Sequence, residues 1–235
     1  MGDFPKALRH GPLREILPDV FVVRGTFPIG PLVTITRNMI VLRDGGELTL
    51  VNAVRLSEEG ERQLCALGDV RQLVKLGFFH DRDDPYFRAR FAPRFWTSVP
   101  ADAHSEELRD GEPGPLARGM VHRFVRARQG EAALLVDTNE GRLLVTCDSL
   151  QNWTDTADCS LLGALTVRAM GFLRPAKIGP IWLDKMTGGK IDEMRPDFER
   201  LLARGFDHLI AGHGELLRGE AKAAVGATCA RTFGS

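Results

Sequence analysis

The chain has 235 residues, of which 43% are hydrophobic and 26% charged, and its 31 basic and 31 acidic residues leave a formal net charge of zero. A chain of this length buries roughly 70% of the surface that its unfolded form exposes, so it needs no disulfides to hold a core. The charge balance argues against nucleic acid and anionic membrane as partners, because proteins that bind them carry a basic excess. The length predicts one domain over residues 1–235.

The sequence carries no sign of a membrane span or of export. Its longest apolar runs are shorter than the ~18–20 residues that cross a bilayer, and charged residues interrupt positions 1–20 where a signal peptide would need an apolar core. The four cysteines are far apart and form no Cys-x-x-Cys pair. We therefore expect reduced thiols and a cytoplasmic location.

The first half of the chain is dominated by predicted strands. Three runs rich in β-branched or aliphatic residues predict strands at residues 20–23, 33–42 and 48–51. Asp44-Gly45-Gly46 favours a hairpin between the last two, because these residues tolerate positive φ. Ser57 with the acidic residues after it predicts the start of a helix that ends at Gly68, and residues 70–76 predict a buried strand.

The second half alternates loops, strands and helices. Residues 77–93 predict a loop followed by a helix, and residues 100–114 predict a polar surface excursion. Strands are predicted at 121–125, 132–136, 143–146 and 208–211, and helices at 158–172, 195–203 and 218–229. Because the strands are grouped in each half, with helices between and after them, the order predicts a layered α/β sandwich.

Chemically capable side chains follow three of the predicted strands. His80, Arg82 and Asp84 lie in the loop after residues 70–76, Asp148 follows residues 143–146, and His213 stands in a Gly-His-Gly turn after residues 208–211. Loops at strand ends are where a rigid scaffold presents reactive groups to solvent. These residues are therefore the candidate functional site.

This order of motifs resembles the metallo-β-lactamase superfamily. The resemblance runs over most of the chain, from about residue 20 to the C-terminus, and implies a four-layer αββα sandwich with a metal site at one edge. The signature of the superfamily is His-x-His-x-Asp-His, a distant His, an Asp at a strand end and a His in a late Gly-His-Gly. Aligned with it, His80, Asp84, Asp148 and His213 occupy ligand positions.

Three ligand positions of the superfamily are lost. Arg82, Pro85 and Ala127 stand where the pattern has histidines, and Glu131 and His122 are weaker substitutes for the distant one. The resemblance therefore implies at most one metal ion, held by Asp84, Asp148 and His213 with His80 beside them. Such a set suits Zn²⁺, Mn²⁺ or Fe²⁺, and a site without any ion is the other interpretation.

Two functions from different classes follow. In the first, the protein is a metal-dependent hydrolase of an ester, thioester, lactone or phosphoester, in which His80 handles the proton and Arg82 orients an anionic group. In the second, it is a non-catalytic binding or interaction module in which Arg82 bridges Asp84 and Asp148 and replaces the charge of the metal. The first implies a small substrate with an anionic group, and the second implies a small anion or a partner chain as the ligand.

The aromatic residues leave two interpretations open. The cluster between Phe78 and Trp96 is predicted to be core, with a substrate pocket as the alternative. Trp153 and Trp182 are candidates for ligand contact or for a subunit interface, and a homodimer is compatible with the neutral charge.

Overall fold

The computed structural model describes residues 4–99 and 102–234. The strands in chain order are β1 (Arg14–Leu17), β2 (Val20–Gly30), β3 (Val33–Asp44), β4 (Glu47–Val51), β5 (Asp69–Lys75), β6 (Arg94–Thr97), β7 (Ser105–Glu107), β8 (Gly119–Arg123), β9 (Ala132–Thr138), β10 (Gly141–Thr146), β11 (Leu150–Gln151), β12 (Lys177–Ile178) and β13 (His208–Ala211). The helices are α1 (Glu58–Leu67), α2 (Asp84–Phe91), α3 (Leu161–Ala169), α4 (Pro180–Thr187), α5 (Arg195–Arg204) and α6 (Ala221–Phe233), with a 3-10 turn at Ile191–Met194 before α5.

The strands form two main sheets. The first has seven strands in the order β1-β2-β3-β4-β5-β6-β7, and the second has four in the order β13-β10-β9-β8. Strands β4 to β7 run parallel to one another, and β10 runs parallel to β13, whereas the hairpins β2-β3 and β9-β10 are antiparallel. A short β11-β12 pair lies apart from both sheets.

Alternating side chains along the strands divide the interior into layers. On β3, Ile40 belongs to an apolar cluster with residues of β9 and β10, whereas Met39 packs with Leu64 of α1. On β9, Leu134 faces the first sheet, whereas Leu135 packs with residues of α5 and α6. Because successive strand residues point to opposite faces, the two sheets share one core and each carries helices on its outer face. The predicted αββα sandwich is confirmed.

Local signals placed several elements correctly. Asp44 pairs with Glu47 across the predicted hairpin. The Ser57 hydroxyl accepts the Gly60 amide hydrogen at the start of α1, over a distance of 3.3 Å. The third predicted helix is shorter than residues 158–172, because the Ser160 side chain caps it and accepts the Gly163 amide hydrogen.

Other elements were not predicted. Helix α4 and the strands β1, β6, β11 and β12 were missed, and the predicted surface excursion contains the edge strand β7. Two parts of these sequence predictions lie outside the described residues. They are residues 100 and 101 of the surface excursion and residues 1–3 of the N-terminal segment predicted to lack a signal peptide. In the parts of the chain that are described, none of the helices has the length and apolar character needed to cross a bilayer.

Candidate functional site

Three strand ends bring His80, Asp148 and His213 together. Strands β10 and β13 are parallel neighbours with Thr146 opposite Ala211, so the residues that follow them emerge at the same edge. The two His Nε2 atoms are 3.2 Å apart. Asp148 Oδ2 lies 3.2 Å from His80 Nε2, and Asp148 Oδ1 lies 3.2 Å from His213 Nε2. Within residues 4–99 and 102–234, no other group of three His, Cys, Asp or Glu side chains has such close ligand atoms.

His213 is held in one orientation. Its Nδ1–H donates to the Thr36 carbonyl oxygen at 2.6 Å, and its ring stacks on Trp153 with centroids 5.4 Å apart and planes 14° apart. A carbonyl oxygen can only accept, so Nδ1 carries the hydrogen and the Nε2 of a neutral ring presents a lone pair to the cluster. Metal-binding histidines are typically oriented in this way by a carbonyl behind the ring.

Asp148 is buried and oriented by a short chain of hydrogen bonds. Gln151 Nε2 donates to Asp148 Oδ1 at 3.1 Å, and the Trp153 indole donates to Gln151 Oε1 at 2.8 Å. Burial on its own would raise the pKa of Asp148, but the imidazoles of His80 and His213 hold that pKa well below its usual value. Asp148 is therefore an ionised carboxylate facing two imidazoles.

His80 adopts an unusual backbone conformation. Its φ is +68°, in the left-handed region that β-carbons disfavour, and its Nδ1 is buried with no hydrogen-bond partner among the described residues. Burial lowers the pKa of His80, with Asp148 acting in the opposite direction. Its ring is therefore biased toward the neutral form, which can offer a lone pair to a cation.

Two guanidinium groups lie beside the cluster and share one carboxylate. Arg37, on β3, is 2% exposed and is ion-paired with Asp83. Arg82 pairs with the other oxygen of Asp83 and donates to the Lys6 carbonyl oxygen at 2.8 Å. Arg82 therefore does not make the expected bridge between Asp84 and Asp148, because Asp83, its neighbour in the chain, occupies its guanidinium. Arg37, which the sequence analysis did not include among the site residues, is the deeply buried arginine of this region.

Asp84 does not join the three-residue cluster. It is the first residue of α2 and is 4% exposed, and neither of its carboxyl oxygens has a hydrogen-bond partner within the described chain. It lines a separate cavity together with Lys75 and Arg88. Burial raises the pKa of Asp84 to about 7, and Lys75 opposes that rise. The expected ligand set changes because helix α2 turns Asp84 away, while the His80 side chain approaches Asp148 and His213.

The two weaker candidates occupy different positions. His122 lies on β8 and packs edge-on against Phe124, and burial lowers its pKa to about 3. Glu131 is fully buried, with Oε1 accepting the Ser149 amide hydrogen at 3.3 Å. Burial, and next the charge of Asp148, raise the pKa of Glu131 well above its usual value. Neither side chain belongs to the cluster of ligand atoms.

A cavity of about 500 Å³ opens onto the cluster. His80, Asp148, His213 and Arg37 line it, and most of its other walls are apolar. Trp153, Trp182 and Phe79 are on these walls, so part of the aromatic set does face a pocket. Phe87 and Phe95, in contrast, pack in the core beneath α1 and α2, as the core interpretation predicted.

Comparison with solved structures identifies the architecture. DIM-1 metallo-β-lactamase superimposes with a TM-score of 0.62 at 12% identity, over 98% of this chain and 99% of the other. FIM-1 from Pseudomonas aeruginosa, solved in its mono-zinc form, gives 0.61 at 10% identity over 97% and 98%. The metallo-β-lactamase of Erythrobacter litoralis gives 0.58 at 12% identity over 95% and 93%.

The chain has the metallo-β-lactamase fold. No known family model matches the sequence, and no curated protein matches it either. The metallo-β-lactamase fold is therefore evident from the three-dimensional structure.

The geometry of the cluster fits one divalent ion. When the His213 ring is neutral, its Nε2 turns a lone pair toward an oxygen of the ionised Asp148 3.2 Å away, which is repulsive unless a proton or a metal ion lies between them. Two imidazole nitrogens and one carboxylate match the three protein ligands of many catalytic zinc sites. The charge of Arg37 is paired with Asp83, which reduces its repulsion of a cation at the cluster.

Proposed function

We propose that this protein, as one domain of residues 1–235, is a hydrolase that holds a single divalent metal ion on His80, Asp148 and His213. The observation that carries the proposal is the convergence of two Nε2 atoms and a carboxylate at 3.2 Å, with Nδ1 of His213 fixed by the Thr36 carbonyl oxygen. We propose Zn²⁺ as the ion, with Mn²⁺ and Fe²⁺ as the alternatives for the same donor set.

The chain's own residues would bind, orient and shield the reacting groups. A bound ion supplies a water molecule of lowered pKa, which is a nucleophile near neutral pH. Gln151 and Trp153 hold Asp148 and His213 in place from behind. The apolar walls of the cavity exclude bulk water, which strengthens electrostatic interactions in the site.

The substrate class follows from the cavity and the charges near it. A small molecule with an ester, thioester, lactone or phosphoester group fits a pocket of this volume. Arg37 and Arg82 together carry one more positive charge than the Asp83 they share, which favours an anionic ligand. A cytoplasmic location, the absence of a nucleic-acid partner and a homodimer stay predictions from the sequence.

Metal content tests the proposal directly. The protein is incubated with Zn²⁺, dialysed, and analysed for metal beside two variants, His213→Gln and the control His208→Gln. Both histidines are 5% exposed; His208 begins β13 and His213 lies two residues after its end, so they match in burial and are close in the chain. We expect close to one ion per chain in the parent and the control, and below about 0.2 in His213→Gln.

Activity and stability complete the test. Chelation should abolish the hydrolysis of a panel of nitrophenyl esters, thioesters and phosphodiesters, and added Zn²⁺ should restore it. Zn²⁺ at about 100 times its Kd should stabilise the parent by about 2.7 kcal/mol, because it binds only the native state. The non-catalytic binding module would instead be supported if the parent held less than about 0.2 ion per chain and chelator left its Tm unchanged.

A further inference from the structure

The cavity over the candidate metal site changes character with depth. The side chains of His80 and His213 are 7% and 6% exposed, and that of Asp148 is 12% exposed. On the same cavity, Ile181 is 59% exposed, Ile29 is 49% exposed and Phe78 is 38% exposed. The three residues of the cluster are therefore at the deep end, and large apolar side chains form most of the mouth, where the exposed Asp81 also lies.

This order is the reverse of an ordinary surface cleft, whose outer rim is polar. Apolar groups at a mouth are in water unless something covers them, and the burial of apolar area is favourable in proportion to that area. Large exposed apolar patches commonly mark a binding site. The mouth therefore favours a ligand whose outer part is apolar.

The walls between mouth and cluster suit a flexible chain. Met170, directly after α3, and Ile35 on β3 contribute apolar surface, and methionine adapts readily to the shape of a ligand. The volume of about 500 Å³ lies within the range of pockets that enclose most of a small ligand, roughly 300–1,000 Å³. A linear acyl chain fills such a space without any polar partner.

Two guanidinium groups, those of Arg37 and Arg82, line the cavity beside the cluster. The Arg37 guanidinium lines the cavity, lies 4.8 Å from the centroid of the Phe27 ring and has an Nε without a partner in the described part of the chain. Arg37 and Arg82 share the single carboxylate of Asp83. A negatively charged head group is therefore favoured beside the cluster.

We propose that the cavity binds linear fatty-acyl esters or thioesters, with the acyl chain along the apolar walls and the acyl carbon at the His–Asp–His cluster. The chemical step in this proposal rests on the function proposed above. A water oxygen bonds to the acyl carbon, the bond from that carbon to the ester oxygen or thioester sulfur breaks, and the leaving alcohol or thiol takes the proton. The product is a fatty carboxylate, whose charge suits Arg37.

Product binding tests the inference without any turnover. Saturated carboxylates from butanoate to dodecanoate are titrated into metal-free protein, and the fluorescence of Trp153 and Trp182, which both line the cavity, reports binding. Each added methylene should tighten Kd about fourfold until the cavity is filled. Decanoate should bind at least tenfold more tightly than decanol, which has the same chain without the charge.

Matched variants locate the chain on the proposed wall. Ile181→Asp places a charge at the mouth, and Val125→Asp places the same charge on a side chain that is 61% exposed but does not line the cavity. We expect Ile181→Asp to weaken decanoate binding at least tenfold while leaving butanoate binding nearly unchanged. Val125→Asp should bind both carboxylates as the parent does.

The outcomes separate this inference from the proposed function. If carboxylate affinity rises with chain length in metal-free protein but no ester is hydrolysed with any metal, the binding inference stands and the hydrolase proposal fails. If short esters are hydrolysed with Zn²⁺ while carboxylate affinity is independent of chain length, the hydrolase proposal stands and the binding inference fails. Equal effects of Ile181→Asp and Val125→Asp, or tighter binding of aromatic carboxylates than of all the linear ones, would overturn the acyl-chain assignment.

Discussion

The replacement Asp84→Asn tests the electrostatics of the buried carboxyl that the structure separates from the metal site. Asp84 is 4% exposed and neither of its oxygens has a hydrogen-bond partner among the described residues. Its pKa rises from 3.8 to about 7, chiefly through burial. The folded protein therefore favours the protonated acid, whereas the unfolded chain ionises at its ordinary pKa.

The sign and size of the effect follow from linkage. Below about pH 4 the acid is protonated in both states and contributes nothing, and above about pH 7 the folded protein bears the full penalty of a buried charge. The difference between 3.8 and about 7 corresponds to roughly 4 kcal/mol, at 1.36 kcal/mol for each pKa unit. The parent should therefore lose up to that much stability as the pH rises, and the Asn variant should not.

Urea unfolding of parent and variant at several values between about pH 4 and pH 8, with chelator present, measures this difference. An unpaired buried amide costs about 1–3 kcal/mol, but that cost is independent of pH and cancels when the stability difference is compared across the range. We expect the difference to move in favour of Asp84→Asn by roughly 4 kcal/mol from the acid to the alkaline end.

The exposed neighbour Asp81 provides the control, because it lines the same cavity as Asp84. Asp81→Asn should leave most of the parent's pH dependence in place, because burial, the main cause of the raised pKa of Asp84, is unchanged. The reasoning that Asp84 is a desolvated and unpaired acid would be refuted if the stability difference between Asp84→Asn and the parent stayed constant with pH. A difference that shifted in favour of the parent at high pH would refute it too.

Three further substitutions test the support of the site and the core. Gln151→Leu removes the donor that orients Asp148 and should weaken Zn²⁺ affinity about 10–100-fold, as isothermal titration would show; unchanged affinity would contradict that role. Gly214→Ala should destabilise the protein far more than Gly219→Ala in thermal unfolding, because both have positive φ but only at Gly214 would a Cβ lie 2.0 Å from the Asn152 carbonyl oxygen; equal losses would contradict the clash. Leu64→Ala, which empties a fully buried position between α1 and the first sheet, should cost about 2–5 kcal/mol in urea unfolding, and a loss below about 1 kcal/mol would show that the site collapses to fill the space.

Most of the layered architecture could be predicted from local signals in the sequence. A continuous apolar run such as Met39, Ile40 and Val41 predicts a strand with both faces buried. Ser57 begins a helix through its side-chain hydroxyl, and Gly68 ends it. The three strand-end motifs and the resemblance grouped His80, Asp148 and His213 in one candidate site. Strands β10 and β13 are parallel neighbours, so Asp148 and His213 emerge at a common edge, whereas His80 reaches them from the other sheet.

Tertiary structure alone decided which charged side chains share that site. The resemblance placed Asp84 among the ligands and Arg82 beside them, but a motif does not specify where a side chain points once a helix begins at Asp84. The sequence did not predict Arg37 as a site residue, because its partner Asp83 is 46 positions away in the chain. Local sequence determines backbone elements through short-range sterics and hydrogen bonds, whereas the partner of a buried charge depends on long-range packing, which only the folded chain defines.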